Sequence, residues 1–157
     1  MIRKNVLKPK KEKRKKVSDR HLLKLWAEKV KERSGYRCEY PCCTVRTSQL
    51  HPHHIYSRRH AATRYDPDNG MCLCAHHHTL GSESAHHDPD FKEKIIAGGV
   101  RTRVDFDFLR YKKETITKNN QEFKDWWFDF LTTGRARYRP DCKATETACK
   151  IAEEVGL

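Results

Sequence analysis

The sequence predicts a small α+β domain, and three observations support that prediction. Two segments with helical periodicity flank the middle of the chain, and two short extended segments lie between them. Only 36% of the 157 residues are hydrophobic, so the core is expected to be modest. Cysteine and histidine residues are concentrated around the two extended segments, where a bound metal could stabilise a small core.

The first predicted helix begins after Ser18, a typical N-cap residue, and runs to about Arg33. Its apolar residues fall mainly on one face, which indicates packing against the core. The segment that follows, Tyr36–Thr44, is predicted to form a tight turn that carries cysteines.

Two short strands are predicted in the middle of the chain. The first covers Leu50–Tyr56, and Pro52 within it excludes a central position in a sheet. The second, Met71–Leu73, follows a loop rich in turn-forming residues. It is expected to lead into a helix that starts near Ala75.

The rest of the chain has a weaker pattern. Asp90–Ala97 is predicted to form one or two helical turns, and the partial alternation in Arg101–Arg110 indicates a strand or an insertion loop. Gln121–Leu131 is predicted to be a helix, because its aromatic residues are spaced for burial in the core. Asp141–Val155 is predicted to be a terminal helix or a frayed end.

The charge of the chain favours a polyanionic partner. The formal net charge is +12 and the pI is about 9.5, which makes nucleic acid the leading candidate. Met1 to Lys16 contains nine Lys or Arg residues and one acid, Glu12. Residues 1–17 are therefore predicted to be a disordered basic arm that lies along phosphates. The alternative is a solubilising or targeting tail.

The cellular compartment is predicted from the absence of membrane-spanning and secretion signals and from the cysteine pattern. It contains no apolar run long enough to span a membrane, and no signal-peptide core follows the basic start. Seven cysteines, two pairs of them closely spaced, fit a secreted disulfide framework poorly. We therefore expect a cytoplasmic protein with a metal site.

Two short-spaced ligand pairs predict a structural zinc site of the Cys3His type. The four candidate ligands are Cys38, Cys43, Cys74 and His77. Cys42 is the alternative to Cys43, which we favour because Pro41 can turn the chain before it. The competing interpretation is that these cysteines are buried free thiols.

A second pattern of residues resembles the HNH endonucleases, whose nuclease core is a ββα-metal fold. The resemblance covers Tyr36 to His87 and rests on Cys38 to Cys43, His53-His54-Ile55, Asn69, Cys74-Ala75-His76-His77 and His78. Phage and prophage members are particularly similar around Ser57-Arg58-Arg59 and Thr63-Arg64-Tyr65-Asp66. His77 stands where zinc-bearing members usually have a second cysteine.

The resemblance implies DNA hydrolysis by a single divalent ion, Mg²⁺ or Mn²⁺. It implies that His54 is the general base, that His53 and His78 bind the ion, and that Asn69 braces the loop and hairpin holding His54. Phosphodiester hydrolysis needs an activated water and neutralisation of charge on the phosphoryl oxygens.

One position departs from the family pattern. Many members place a further metal-binding histidine one helical turn after the position of His78, and here that residue is Ser82. His86 and His87 are the nearest candidates, and we favour His86 because it lies two turns along the same helical face. Water could also complete the coordination of magnesium.

Three arginines in the loop between the strands are candidates for phosphate contacts: Arg58, Arg59 and Arg64. The alternative is a solvated basic loop. The remaining histidines of this region, His51, His60 and His76, are expected to be surface residues without a role.

The predicted organisation is thus an arm over residues 1–17, an HNH nuclease domain with flanking helices over 18–134 (core 36–87), and a C-terminal extension over 135–157. The alternative functions are a non-catalytic zinc-stabilised DNA-binding module and a phage assembly protein with a vestigial nuclease site.

Overall fold

A computed structural model describes residues 16–46 and 49–134. Over these residues the chain forms four α-helices and one two-stranded antiparallel sheet, which is an α+β arrangement as predicted. In chain order the elements are α1 (Asp19–Arg33), β1 (His51–His54), β2 (Gly70–Leu73), α2 (Phe91–Ala97), α3 (Arg103–Glu114) and α4 (Gln121–Thr133). Most of the predicted basic arm and all of the predicted C-terminal extension, including Asp141–Val155, lie outside the described residues.

Helix α1 begins where the sequence predicts. The side chain of Ser18 accepts a hydrogen bond from the backbone N–H of His21, which caps the first turn. Leu22, Trp26 and Val30 recur at four-residue spacing and are buried against the rest of the core.

The sheet is short, and its register decides which side chains share a face. His53 pairs with Met71, and His54 pairs with Gly70. Because successive residues of a strand point to opposite faces, His51 and His53 lie on one side of β1 and His54 on the other. The strand over His51–His54 is shorter at both ends than the predicted Leu50–Tyr56.

The helix expected near Ala75 is instead a π-helical turn over His76–Leu80. The N–H of Gly81 donates to the carbonyl of His76 at 2.8 Å, five residues back instead of four. This wider turn follows β2 directly and carries three consecutive histidines.

The prediction of a strand or loop over Arg101–Arg110 is wrong, because this segment belongs to α3. Thr102 and Asp105 form a reciprocal capping box at its start, and each side chain accepts from the other's backbone N–H. Phe106 and Leu109, three residues apart, are buried on its inner face. This segment therefore forms a helix although its apolar and polar residues alternate locally.

Helix α4 confirms the predicted burial of Phe123 and Trp127, whereas Trp126 and Phe130 are only partly buried. Phe123, Trp127 and Leu131 are buried, and α4 packs along α1. Gly134 ends the helix with a left-handed φ of 67°, a conformation that favours glycine. No helix in the described part of the chain is both long enough and apolar enough to cross a membrane.

Gly70 allows α1 to lie directly on the sheet. A Cβ atom added at this residue would lie 2.3 Å from Cγ2 of Val30 and 2.9 Å from Cζ2 of Trp26. Real Cβ atoms do not approach their neighbours so closely, so any side chain here would push the helix away. Because Gly70 has no side chain, α1 can lie close to β2 at the position that pairs with His54.

Replacing Gly70 by alanine should lower the free energy of unfolding by about 1–3 kcal/mol, the usual cost of overpacking. Denaturant titration at fixed metal concentration measures the loss. Because Cγ2 of Val30 is the nearest obstacle, G70A combined with V30A should lose less than the sum of the single variants. Strictly additive losses would contradict this steric interpretation.

Candidate metal centres

Four potential metal ligands meet where the loop after α1 approaches the turn after β2. Their ligand atoms all lie within 4.8 Å of one another, so together they could hold a metal ion. The residues are Cys38, Cys43, Cys74 and His77. They are the four that the sequence analysis singles out.

Hydrogen bonds to β2 bring the two halves of this thiol cluster together. The N–H of Glu39 donates to the carbonyl of Cys72 at 2.7 Å, and the N–H of Cys72 donates to the Glu39 carboxylate at 2.6 Å. The segment after α1 therefore lies along the outer edge of β2. As a result, the backbone N–H of Cys74 lies 3.3 Å from Sγ of Cys38 and donates to it.

The distances within the thiol cluster suit a tetrahedral ion. Nδ1 of His77 lies 3.6 Å from Sγ of Cys38 and 3.3 Å from Sγ of Cys74. Zinc bond lengths of about 2.3 Å to sulfur and 2.0–2.1 Å to nitrogen place tetrahedral S and N ligands roughly 3.6 Å apart. Burial raises the pKa of the Cys38 thiol to about 12, so a thiolate here requires a neighbouring cation.

Of the two adjacent cysteines, Cys43 lies in the cluster and Cys42 does not. Cys42 is exposed and has a positive φ of 60°, and the N–H of Cys43 donates to the carbonyl of Tyr40. This turn directs the second cysteine inward. The ring of Tyr40 also stacks on His77, with centroids 4.0 Å apart and planes 8° apart, which holds the imidazole in place.

Three histidines form a second cluster on the face of β1 that carries His53. The ligand nitrogens of His53, His78 and His86 also lie within 4.8 Å of one another. Their ring centroids form a nearly equilateral triangle with sides of 5.3, 5.1 and 5.0 Å. We call this group the imidazole cluster, and it too could hold a metal ion.

Burial keeps two rings of the imidazole cluster, His53 and His78, in the form that binds metals. Desolvation, followed by the charges of His78 and His86, lowers the pKa of His53 to about 4. Desolvation also lowers the pKa of His78. Both rings are therefore neutral near pH 7, and a neutral imidazole has a lone pair for an ion.

The structure separates His86 from His87. His86 lies in the imidazole cluster, whereas Nδ1 of His87 lies 3.1 Å from the hydroxyl oxygen of Ser84. The segment after Gly81 thus returns toward β1, which brings His86 close to His53. Ser82 is exposed.

His54 lies on the opposite side of β1 from the imidazole cluster. Its ring stacks on Trp26, with centroids 3.7 Å apart, and Nε2 lies 3.0 Å from the carbonyl oxygen of Arg64. A carbonyl accepts only, so Nε2 carries the proton and Nδ1 has the free lone pair. Burial lowers the pKa of His54, so this lone pair is available as a proton acceptor near pH 7.

Asn69 braces the loop that follows His54. Its fully buried side chain accepts from the N–H of Tyr56 at 2.8 Å and donates to the carbonyls of Tyr56 and Thr63. Its backbone carbonyl accepts from the N–H of Ile55. All of these contacts are with backbone groups, so Asn69 fixes the path of the chain beyond His54.

The three arginines of the loop differ in their surroundings. Arg58 and Arg59 are exposed. Arg64 is partly buried, donates from Nε to the carbonyl of Arg58 at 2.7 Å, and lies 3.6 Å from the carboxylate of Asp19. The positive charges of Arg58 and Arg64 both act on His54 and lower its pKa.

His51 makes a contact that its sequence position alone does not predict. This residue is exposed, as expected, but its Nδ1 lies 3.2 Å from Nδ1 of His78. The signal available in the sequence was its position two residues before His53, which places both residues on one strand face. His60 and His76, the other two histidines set aside, do not belong to either metal cluster of the described chain.

Comparisons with known protein families, with curated proteins and with solved structures found no match for this chain. The two clusters and the surroundings of His54 are therefore the basis on which its function is inferred.

Proposed function

We propose that this protein is a metal-dependent endonuclease of the HNH type that hydrolyses DNA phosphodiester bonds on a ββα-metal core. The observation that carries the proposal is the imidazole cluster of His53, His78 and His86, with a neutral, oriented His54 next to His53 in the chain. A hairpin and the turn after it supply three of these four residues.

In the proposed reaction a divalent ion would be held by His53, His78 and His86. Such an ion, when bound, neutralises charge on the phosphoryl oxygens and stabilises the leaving oxygen. His54 would accept a proton from the attacking water at Nδ1, because its Nε2 is engaged by the carbonyl of Arg64.

Two further groups would serve the reaction indirectly. Asn69 would keep His54 in register through its contacts with Tyr56 and Thr63. Arg58 and Arg59, both exposed, would bind phosphates on either side of the scissile bond, since arginine is suited to that geometry. Arg64 would contribute mainly through its charge, because its Nε already donates to a backbone carbonyl.

We infer that the thiol cluster binds a structural zinc ion. Three thiols and one imidazole at tetrahedral distances form the donor set that zinc prefers. The site joins the loop after α1 to the turn after β2, about 36 residues apart in the chain, and would stabilise a domain with little apolar material.

The donor set of the imidazole cluster bears on which divalent ion it would hold. All three ligands are histidines, and imidazole suits zinc, nickel and iron better than magnesium, which prefers oxygen ligands. We therefore include transition-metal ions among the candidates.

DNA is the proposed partner because the chain carries a formal charge of +12. A DNA-binding module without catalysis would require the thiol cluster and the positive charge alone. The imidazole cluster and the oriented His54 favour an enzyme, because binding to phosphate requires neither of them.

The decisive experiment is incubation of the purified protein with supercoiled plasmid in the presence of Mg²⁺, Mn²⁺, Ni²⁺, Zn²⁺ or chelator. Nicked or linear DNA that appears only with a divalent ion would support the proposal. Binding without cleavage under every condition would favour the non-catalytic module.

Replacing Cys38 or Cys74 by serine should release about one zinc ion per chain and unfold the core, because metal binding and folding are coupled. Metal analysis and thermal melting measure the two effects. C42S is the matched control, since Cys42 is exposed and outside the cluster, and it should retain the ion. A native protein without zinc would contradict the assignment.

Replacing His54 by alanine should reduce the cleavage rate by about 10²- to 10⁴-fold, the usual contribution of a general base. Zinc content should be unchanged, because His54 does not belong to the thiol cluster. H60A provides a control histidine from the same loop and should cleave normally. Equal activity of H54A and the native protein would exclude His54 as the base.

The pH profile offers a further check on His54. Burial lowers its pKa from 6.5, so the neutral ring that accepts a proton persists to lower pH. The acidic limb of kcat/KM should therefore lie below pH 6.5. An acidic limb above that value would contradict the assignment.

Replacing His86 by alanine should raise the ion concentration required for cleavage by at least about 10- to 100-fold, the cost of losing even an indirect metal partner. H87A should change it little, because His87 contacts Ser84 instead. A titration of rate against metal concentration measures both variants, and the reverse ranking would transfer the role to His87.

A further inference from the structure

His51 stands beside the imidazole cluster. It lies two residues before His53 on the same face of β1, and its ring meets the ring of His78 edge-on, with centroids 5.2 Å apart. It is separated from His78 by 27 residues, so the antiparallel pairing of the strands brings the two rings together.

The contact joins two nitrogens of the same kind. Nδ1 of His51 and Nδ1 of His78 lie 3.2 Å apart, so one ring donates a hydrogen bond and the other accepts it. A neutral imidazole carries one N–H and one lone pair. For His78 to offer the lone pair of Nε2 to an ion, its Nδ1 must carry the proton and donate.

We propose that His51 is the positioning residue of the imidazole cluster: its Nδ1 accepts the hydrogen bond of His78 and so fixes the tautomer and the orientation of that ligand. This inference rests on the proposed binding of a divalent ion by His53, His78 and His86, and not on cleavage of DNA. In known metal sites, partners of this kind hold ligand imidazoles by their second nitrogen.

The alternative role for His51 is direct binding of the ion. The positions of the ligand nitrogens and the effects of substitution distinguish this role from positioning of His78. The three histidines whose nitrogens converge are His53, His78 and His86. A positioning residue can be replaced by another acceptor, whereas a ligand imidazole cannot be replaced without a change in the first coordination sphere.

The test uses the full-length protein with zinc in the thiol cluster, titrated with Co²⁺, whose visible absorption reports its ligands. His51→Ala should weaken Co²⁺ binding by about 10- to 100-fold. His51→Asn should stay within a few-fold of the native protein, because its side-chain oxygen can accept at the place of Nδ1. The spectrum at saturation should be the same for all three proteins, and zinc content and melting temperature should not change.

Any of four results would overturn the proposal. Unchanged Co²⁺ affinity in His51→Ala would show that the hydrogen bond between His51 and His78 does not support ion binding. Equal weakening in both variants would show that an acceptor is not what matters, and an altered saturated spectrum would make His51 a ligand. Failure of the native protein to bind Co²⁺ beside zinc would remove the site itself. An absence of DNA cleavage, by contrast, would refute the nuclease proposal and leave this measurement intact.

Discussion

The antiparallel pairing of β1 with β2 is the contact on which both clusters depend. Each strand has only four paired residues. Because successive side chains alternate between faces, His53 points toward the imidazole cluster and His54 points toward α1. On the other edge of β2, the backbone N–H and carbonyl of Cys72 form two hydrogen bonds with Glu39. These bonds bring Cys38 close to Cys74. A slip of one residue in this pairing would exchange the two faces and disperse every candidate ligand on the hairpin.

Helices α1 and α4 supply the apolar mass that so short a sheet cannot provide. Together α1 and the sheet enclose the ring of His54, because Gly70 lets Trp26 and Val30 approach the strand closely. The stack of His54 on Trp26 is therefore a packing contact and part of the burial that lowers the pKa of His54. In this way the burial that stabilises the hairpin also keeps the histidine neutral.

Local signals in the sequence were sufficient for α1, α4 and the ligands of the thiol cluster. Ser18 and Gly134 mark helix ends by their own chemistry, and the spacing of Cys74 and His77 is a short-range property. Helix α3 was missed because Val104 to Phe108 alternates locally, while its burial against the loop around Ala62 is a tertiary effect. The contact of His51 with His78 likewise depends on strand register, which no local pattern specifies.

The π-helical turn gives consecutive residues to different clusters, His77 to the thiols and His78 to the imidazoles. If both clusters hold ions, ion binding at one cluster would affect ion binding at the other, because a single peptide bond joins His77 to His78. An ion at the thiols orders the turn, so less conformational entropy is lost when the imidazoles bind theirs, and the same coupling acts in reverse. Oxidation of the thiols, which would remove the ion of the thiol cluster, would then also weaken ion binding at the imidazole cluster.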